Sequence, residues 1–328
     1  MNSLPDMGFK VMLWVCPFVS PDSDVYRELE DKNYLIQEAT GDNNPLIVRW
    51  WNGASAVLDF TNPGAVAWYS EQLRRLSDTY GVEGFKFDAG DSYFYDQPLK
   101  SFKDVSPNEH TLTFQKFGLD YPLNEYRASW KMGGQPLAQR LHDKGHNWDD
   151  LQMLIPQMLL QGLIGYPFNA PDMIGGGEFG SFLNLDAVDQ ELIVRSAQVH
   201  ALMPMMQFSV APWRVLDKEH LEAVQKSVEL REQYLPVIMD LVQQASENGE
   251  PIVRPMEYDF PGEGFHNIKD QFMLGPDILV APVLQPGVSS RMVSLPKGEW
   301  TWKGKTFRGG NRVEVKAELN ELPVFQRN

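Results

Sequence analysis

The 328-residue sequence is poor in cysteine, in histidine and in long apolar runs, and each shortage excludes a class of protein. Its single cysteine, Cys16, cannot form an internal disulfide, so a disulfide-stapled scaffold is excluded. The six histidines show neither HxH nor HExxH spacing, and no stretch has the ligand spacing of a calcium loop. The glycine turns GGQP and IGGGEFG lack a phosphate-cradling pattern. We therefore expect no metal and no other cofactor.

Basic residues are also scarce, since 29 of them stand against 44 acidic residues and the net charge is −15. Such a charge repels phosphate backbones and anionic head groups, so nucleic acid is not an expected partner. No apolar stretch approaches the roughly 20 residues of a membrane helix, and no export signal pattern follows Met1. The sequence predicts a soluble protein with no membrane partner. It leaves the compartment open between cytoplasm and periplasm.

Short apolar runs alternate with amphipathic stretches through the first two thirds of the chain, which predicts an α/β fold built around a parallel sheet. We expect strands near 10–16, 84–88, 126–130, 137–142, 163–168 and 203–210, two fewer than a closed (β/α)8 TIM barrel contains. We expect helices at 63–80, 148–161 and 217–247, the last with a break near Pro236.

From residue 249 onward the sequence pattern changes to short predicted strands separated by turn residues, as in PIVRPMEYDF and QFMLGPDILVAPVL. That pattern predicts an all-β module, most simply a sandwich. The sequence thus predicts a partial barrel over residues 1–248 and a β-sandwich domain over residues 249–328.

Three aspartates follow predicted barrel strands: Asp88 ends GFKFD, Asp143 ends LAQRLHD and Asp172 follows GYPFNAP. Catalytic groups of a barrel lie at the carboxyl ends of its strands, although aspartate is also common there as a cap of turns and helices. Two carboxylates across a pocket can act as nucleophile and proton donor, which is the logic of glycoside hydrolysis. Six aromatic residues near the same face could stack on a sugar, and some of them are expected to belong to the core instead: Trp50, Trp51, Tyr93, Tyr95, Trp130 and Trp148.

These segments resemble glycoside hydrolase family 31, the retaining α-glycosidases, over almost the whole chain. The resemblance runs from GFKVMLWVCPF through GFKFDAGD and HDKGHNWDDLQMLIPQMLLQGLIGYPFNAPDMIGG to DQFMLGPDILVAPVLQPGVSSRMVSLPKGEW. The form KFDAGD is most similar to the myogenesis-regulating glycosidase-like branch, which prefers α-galactosides. The resemblance implies a carbohydrate substrate with a terminal α-linked sugar.

Position by position, the resemblance implies that Asp88 is the nucleophile and Asp143 the general acid/base. It implies substrate-binding roles for four further residues: Arg127, Trp51, Lys86 and Asp172. Asp91 is expected to position the loop after the nucleophile.

The sequence departs from the α-glucosidases of the family at Lys86 and Arg140, where they have tryptophan, and at Ser209, where they have a sugar-binding histidine. These departures make glucose specificity doubtful. An α-glucosidase or α-xylosidase of the same family remains an alternative.

The family barrel begins with two strands that this chain is expected to lack, together with an N-terminal β-sandwich. Such a chain leaves two sheet edges unpaired, which could make the isolated chain inactive. A preceding segment or a partner chain would then complete the barrel. The rival interpretation is a non-catalytic fragment that binds carbohydrate weakly at most.

Overall fold

A computed structural model describes residues 3–183 and 188–328. The chain divides into two compact units, Met1–Gln139 and Arg140–Asn328. The predicted domain boundary after residue 248 separates the barrel part from the sandwich part and does not coincide with this division. It stays a prediction.

The first unit alternates strands and helices. Its elements are α1 (Ser3–Asp6), β1 (Met12–Val15), β2 (Phe18–Val19), α2 (Asp24–Asp31), β3 (Gln37–Glu38), β4 (Ile47–Trp50), β5 (Gly53–Val57), α3 (Pro63–Tyr80), β6 (Gly84–Phe87), β7 (Leu99–Lys100), α4 (Pro107–Phe117) and β8 (Asn124–Tyr126). The next strand, β9 (Gln139–Arg140), contributes one residue to each unit.

A parallel sheet organises the first unit, because β6 pairs with β1 on one side and with β8 on the other. Gly84 opens β6 where the neighbouring chain comes close: a Cβ there would lie 2.2 Å from the carbonyl oxygen of Leu123. Helix α3 has the predicted bounds. The Asn62 side chain accepts from the Gly64 N–H at its start, and Gly81 ends it in the left-handed conformation at φ 67°.

Short antiparallel strands, which the sequence analysis did not predict, extend the loops of this unit. Strand β5 pairs with β2 and β4, and β3 pairs with β7. Side chains from these strands enclose a core with the loop after β6, made by Ile36, Leu46, Val48, Val57, Ala89, Phe94 and Tyr95. The loop that follows Asp88 is therefore packed on its apolar side.

The second unit contains helices followed by an all-β region. Its elements are α5 (Trp148–Leu163), β10 (Asn169–Ala170), α6 (Gln190–Ala201), α7 (Lys218–Asn248), β11 (Val253–Arg254), α8 (Met256–Asp259), β12 (Phe272–Leu274), β13 (Ile278–Val280), β14 (Ser290–Leu295), β15 (Glu299–Trp302), β16 (Lys305–Arg308), β17 (Asn311–Lys316) and β18 (Val324–Arg327).

Two sheets form the predicted sandwich in the all-β region. One has the strand order β11-β12-β13-β18-β15-β16, and the other is the β14–β17 pair. Large apolar side chains of both sheets meet in one core, which includes Met273, Val293, Trp300, Val315 and Phe325. The prediction of a β-sandwich is confirmed.

Four predicted barrel strands are much shorter or displaced, and the one expected at 137–142 is reduced to Gln139–Arg140. The strand expected at 126–130 ends at Tyr126, and the one expected at 163–168 begins only at Asn169. In 203–210 only a single parallel bridge forms, from Ile174 to Phe208. Apolar residues in these segments occur in buried loops as well as in strands. An apolar run alone therefore did not locate the strands.

Helix α7 is continuous, so the predicted break near Pro236 is wrong. The flanking residues Leu235 and Val237 are exposed, and water can bind the carbonyl oxygen that a proline leaves without a donor. On the opposite side Ile238 and Leu241 are buried in the largest core of the unit. Packing along that side keeps the helix intact.

No helix in the described parts of the chain combines the length and the apolar composition needed to cross a bilayer.

Arg195 of α6 ties this helix to the sandwich. The residue is 1% exposed, and its guanidinium donates to the carbonyl oxygens of Val288, Ala317 and Glu318 at 2.9–3.1 Å. A further bond joins it to the Gln198 side chain at 3.1 Å. Removing this donor leaves the buried carbonyl oxygen of Ala317 and the part-buried ones of Val288 and Glu318 without it.

We expect Arg195→Met to lower the free energy of unfolding by about 3 kcal/mol or more, because each buried carbonyl left without a donor costs about 1–3 kcal/mol. Urea denaturation of the purified chain measures the change. Arg312→Met, at an exposed arginine, is the control and should change the value by less than about 0.5 kcal/mol. Equal effects of the two substitutions would contradict the expectation.

Candidate active site

Strand β6 places its polar side chains on one side of the parallel sheet. Trp14 on β1, Lys86 on β6 and Glu125 on β8 are register partners, so they form one row across three strands. Side chains two positions further on share that face. Asp88 and Arg127 therefore stand side by side, one row closer to the carboxyl end of the sheet.

Both oxygens of the Asp88 carboxylate are held. Trp14 donates from its indole Nε1 to Oδ2 at 3.0 Å, and the Nε of Arg127 lies 2.9 Å from Oδ1. Asp88 is only 7% exposed. A carboxylate held in this way has a fixed position and a fixed orientation, which a nucleophile requires.

The tight loop after Asp88 returns a second carboxylate to the same arginine. Ala89 and Gly90 both have positive φ, at 60° and 77°. A Cβ on Gly90 would lie 2.4 Å from the Phe114 ring, so only glycine fits there. The Nη2 of Arg127 consequently donates to Oδ2 of Asp91 at 2.6 Å. Asp91 thus pairs with Arg127, and its expected role in positioning the loop stays a prediction.

Lys86 belongs to an ion pair with Glu125, whose Oε1 lies 2.9 Å from the lysine Nζ. The lysine side chain is 21% exposed and the glutamate side chain 7% exposed. The sequence analysis missed Glu125 and Trp14. The signal that could have found both is register, since they flank Lys86 across the sheet.

Tryptophan rings surround the indole that binds Asp88. Trp50 stacks on Trp14 with ring centroids 6.2 Å apart, and Trp51 meets Trp14 edge-on at 6.3 Å. Trp51 is 59% exposed and Tyr93 is 58% exposed. Exposed aromatic faces next to a held carboxylate are suited to stacking against a sugar ring. The first unit thus brings together Asp88, Arg127 and the ring cluster that includes Trp51.

In the second unit one arginine again joins two carboxylates. The Nη1 of Arg140 lies 2.5 Å from Oδ1 of Asp143 and 3.0 Å from Oδ1 of Asp172. The Asp143 side chain is 35% exposed, whereas those of Arg140 and Asp172 are buried. Asp143 is therefore the accessible carboxylate of this group.

Asp172 is fully buried and has a positive φ of 78°. Its Oδ2 accepts from the backbone N–H groups of Lys144 and Gly177 at 2.8 and 3.1 Å. Burial raises the pKa of this carboxyl group, while the charge of Arg140 opposes the rise. These contacts tie two loops together, and the predicted substrate-binding role of Asp172 stays a prediction.

The loop after Asp143 is anchored by further polar contacts. The Nζ of Lys144 lies 3.0 Å from Nε2 of His142 and 2.5 Å from the Gln157 oxygen, and burial lowers the pKa of Lys144. His146 lies 2.8 Å from the Gly175 carbonyl oxygen through Nδ1. The segment around Asp143 is thus held on both sides.

Within residues 3–183 and 188–328, no group of three or more histidine, cysteine, aspartate or glutamate side chains is arranged to hold a metal ion.

Comparison with known proteins identifies the family to which the chain belongs. A model of the glycosyl hydrolases family 31 TIM-barrel domain matches residues 1–241, and a model of the family 31 C-terminal domain matches residues 249–328. The chain belongs to glycoside hydrolase family 31. The resemblance drawn from the motifs is confirmed, as is the fold class of a TIM-barrel domain followed by an all-β domain.

Named relatives in the family differ in their described activities. The chain is 38% identical over 316 residues to the myogenesis-regulating glycosidase of Mus musculus. The match covers 93% of this chain and 44% of that protein. It is 29% identical to alpha-glucosidase 2 of Bacillus thermoamyloliquefaciens, over 98% of this chain and 44% of that protein. The chain thus spans less than half the length of either relative.

Solved structures share the fold at lower identity. A family 31 alpha-xylosidase from a soil metagenome, complexed with xylose, matches with a TM-score of 0.86 and 24% identity. That match covers 100% of this chain and 54% of the xylosidase. A family 31 sulfoquinovosidase from E. rectale matches with a TM-score of 0.87 and 22% identity, over 100% of this chain and 52% of that protein.

His200 lies in the buried layer beneath the Asp172 loop. Its Nδ1 lies 2.7 Å from the Ser196 carbonyl oxygen, and burial lowers the pKa of His200 from 6.5 to about 4. The unfolded chain therefore binds this proton at a higher pH than the folded chain does. The free energy of unfolding must fall as the pH falls from 6.5 towards 4.

We expect His200 to account for a loss of about 2 kcal/mol in the free energy of unfolding between pH 7.5 and pH 5. His200→Asn keeps a donor for Ser196 and should remove this part of the pH dependence. Urea denaturation at the two pH values measures it, with His266→Asn, at an exposed histidine, as the control. An unchanged pH dependence in His200→Asn would refute the assignment.

Proposed function

We propose that this chain carries the catalytic residues of a retaining α-glycoside hydrolase. The observation that carries the proposal is the Asp88 carboxylate, buried at the end of β6 with one oxygen on the Trp14 indole and the other beside Arg127. An ionised carboxylate held at a strand end next to exposed tryptophan rings is suited to attack a bound sugar. Membership of glycoside hydrolase family 31 supports this interpretation.

In the first proposed step an oxygen of Asp88 attacks the anomeric carbon, and the bond from that carbon to the leaving oxygen breaks. Asp143 donates its proton to the leaving oxygen, so the aglycone departs as a neutral alcohol. The product is a β-linked glycosyl ester of Asp88. The 35% exposure of the Asp143 side chain supports its role as the group that exchanges protons.

In the second step Asp143, now ionised, accepts a proton from water, and the water oxygen attacks the anomeric carbon. The ester bond to Asp88 breaks, the Asp88 carboxylate is regenerated and Asp143 is again protonated. Two inversions leave the sugar in its original α configuration. Arg127 and Asp91 hold Asp88 in place throughout, and Trp51 supplies an aromatic surface for the sugar.

We propose α-galactosides as the preferred substrates. Lys86, Arg140 and Ser209 replace residues that α-glucosidases of the family use, and both Lys86 and Arg140 belong to ion pairs. Relatives named as an alpha-glucosidase and an alpha-xylosidase keep α-glucosides and α-xylosides as the alternative substrates.

We also propose the division into a barrel part, residues 1–248, and a sandwich part, residues 249–328. The ranges of the two matching family models support it. The second candidate function is a non-catalytic carbohydrate-binding fragment. This candidate needs a test because the chain covers only 44% of each curated relative. For activity, we propose that a preceding segment or a partner chain completes the barrel.

We expect the purified chain to release p-nitrophenol from the α-galactoside faster than from the α-glucoside or the α-xyloside. Asp88→Asn should lower the rate by about a thousand-fold or more, because the amide cannot form the glycosyl ester. Asp96→Asn, an exposed aspartate in the next turn, is the matched control and should retain activity. The absence of release from all three glycosides by a folded sample would favour the binding fragment.

The stereochemistry of hydrolysis is a separate test of the retaining mechanism. Proton NMR of the reaction should show the α anomer of the free sugar first, before mutarotation produces the β anomer. Initial appearance of the β anomer would contradict the role of Asp88 as nucleophile.

A further inference from the structure

Helix α4 contains a buried glutamine whose side-chain amide is fully hydrogen-bonded. Gln115 is 0% exposed. Its Nε2 donates to the Ser129 hydroxyl at 2.9 Å and to the Gln139 side-chain oxygen at 3.1 Å. Its Oε1 accepts from the backbone N–H of Trp130 at 3.1 Å. Both amide hydrogens and the amide oxygen are therefore satisfied by the loop after β8 and the first residue of β9.

The second glutamine of this group carries the contact to the backbone of Arg127. Gln139 is 2% exposed, and its Nε2 donates to the Arg127 carbonyl oxygen at 2.6 Å. Its own oxygen receives the Gln115 amide. The two side chains thus form a relay from helix α4 to the main chain at Arg127.

Arg127 is the residue whose guanidinium holds Asp88 and Asp91 at 2.9 and 2.6 Å. A fork that must reach two carboxylates tolerates little movement of its own backbone, because bidentate geometry is directional. The strand before it, β8, ends at Tyr126. One residue beyond that end, the Gln139 side-chain amide holds the Arg127 carbonyl oxygen at 2.6 Å.

We propose that Gln115 and Gln139 are positioning residues of the active site, which set the orientation of the Asp88 carboxylate through the backbone of Arg127. The role in catalysis rests on the proposed glycosidase function, whereas the geometric role does not. Neither glutamine is expected to touch the sugar.

Packing alone does not require a primary amide at either of these two buried positions. A buried amide costs free energy unless its polar atoms are bonded, and an apolar side chain of similar volume would fill the space without that requirement. Methionine is such a side chain, with nearly the same length as glutamine. Gln115→Met and Gln139→Met therefore remove the relay and keep the packing.

Trp14 reports the position of Asp88 directly, because its indole N–H donates to Oδ2 of that carboxylate. The indole proton and nitrogen shifts in a ¹H–¹⁵N NMR spectrum respond to this hydrogen bond and need no substrate. The Trp14 signal is the one that disappears in Trp14→Phe. The same samples give kcat and KM for the α-galactoside.

We expect both Gln115→Met and Gln139→Met to move the Trp14 indole signal and to lower kcat about 10- to 100-fold, with a smaller change in KM, since displacement of a reacting group by about 1 Å costs about 100-fold. The matched control is Gln271→Met in the sandwich region. Gln271 is 1% exposed and also makes three side-chain hydrogen bonds, two as donor and one as acceptor.

The control separates positioning from loss of stability, because it removes an equally buried and equally bonded amide. A Trp14 signal in Gln115→Met and Gln139→Met that matches the wild type would overturn the inference, whatever the change in stability. A wild-type chain without glycosidase activity would refute the proposed function alone, and the indole signal would still decide the positioning role.

Discussion

The pairing of one arginine with two carboxylates is the interaction on which the candidate catalytic residues of each unit depend. Arg127 holds Asp88 and Asp91, and Arg140 holds Asp143 and Asp172. A buried carboxylate without a partner would be expensive, and an arginine fork offers enough donors for two. In each group one carboxylate has a proposed chemical role and the other fixes the arginine. The second carboxylate of each group thus helps to hold the arginine beside the first.

Backbone strain accompanies both groups. Ala89 and Asp172 have positive φ without being glycine, a conformation that costs roughly 1–3 kcal/mol and persists only where the surroundings enforce it. Ala89 lies in an apolar core, and Asp172 accepts from two backbone N–H groups. Packing and hydrogen bonds therefore maintain two sharp turns that direct carboxylates back towards their arginines.

Sequence patterns predicted the parts that depend on local signals. Helix α3, with Asn62 as its cap, the strand before Asp88, the sandwich and the family motifs all carry such signals. Helix α6 was missed because its residues from Leu192 to Ala201 are all buried, which removes the amphipathic period. Trp14 and Glu125 were missed because their relation to Lys86 exists only across strands. The Gln115–Gln139 relay likewise depends on folding.

The bonds of Arg195 also constrain the order in which the chain can fold. Its acceptors at Val288, Ala317 and Glu318 lie 93 to 123 residues further along the chain. During synthesis, helix α6 leaves the ribosome long before these carbonyl groups exist. Burial of a guanidinium without acceptors is costly, so we expect α6 to reach its final packing only after Glu318 has been synthesised. The core that α6 shares with the sandwich, which contains Val199 and Val280, is therefore completed only after the sandwich strands have been synthesised.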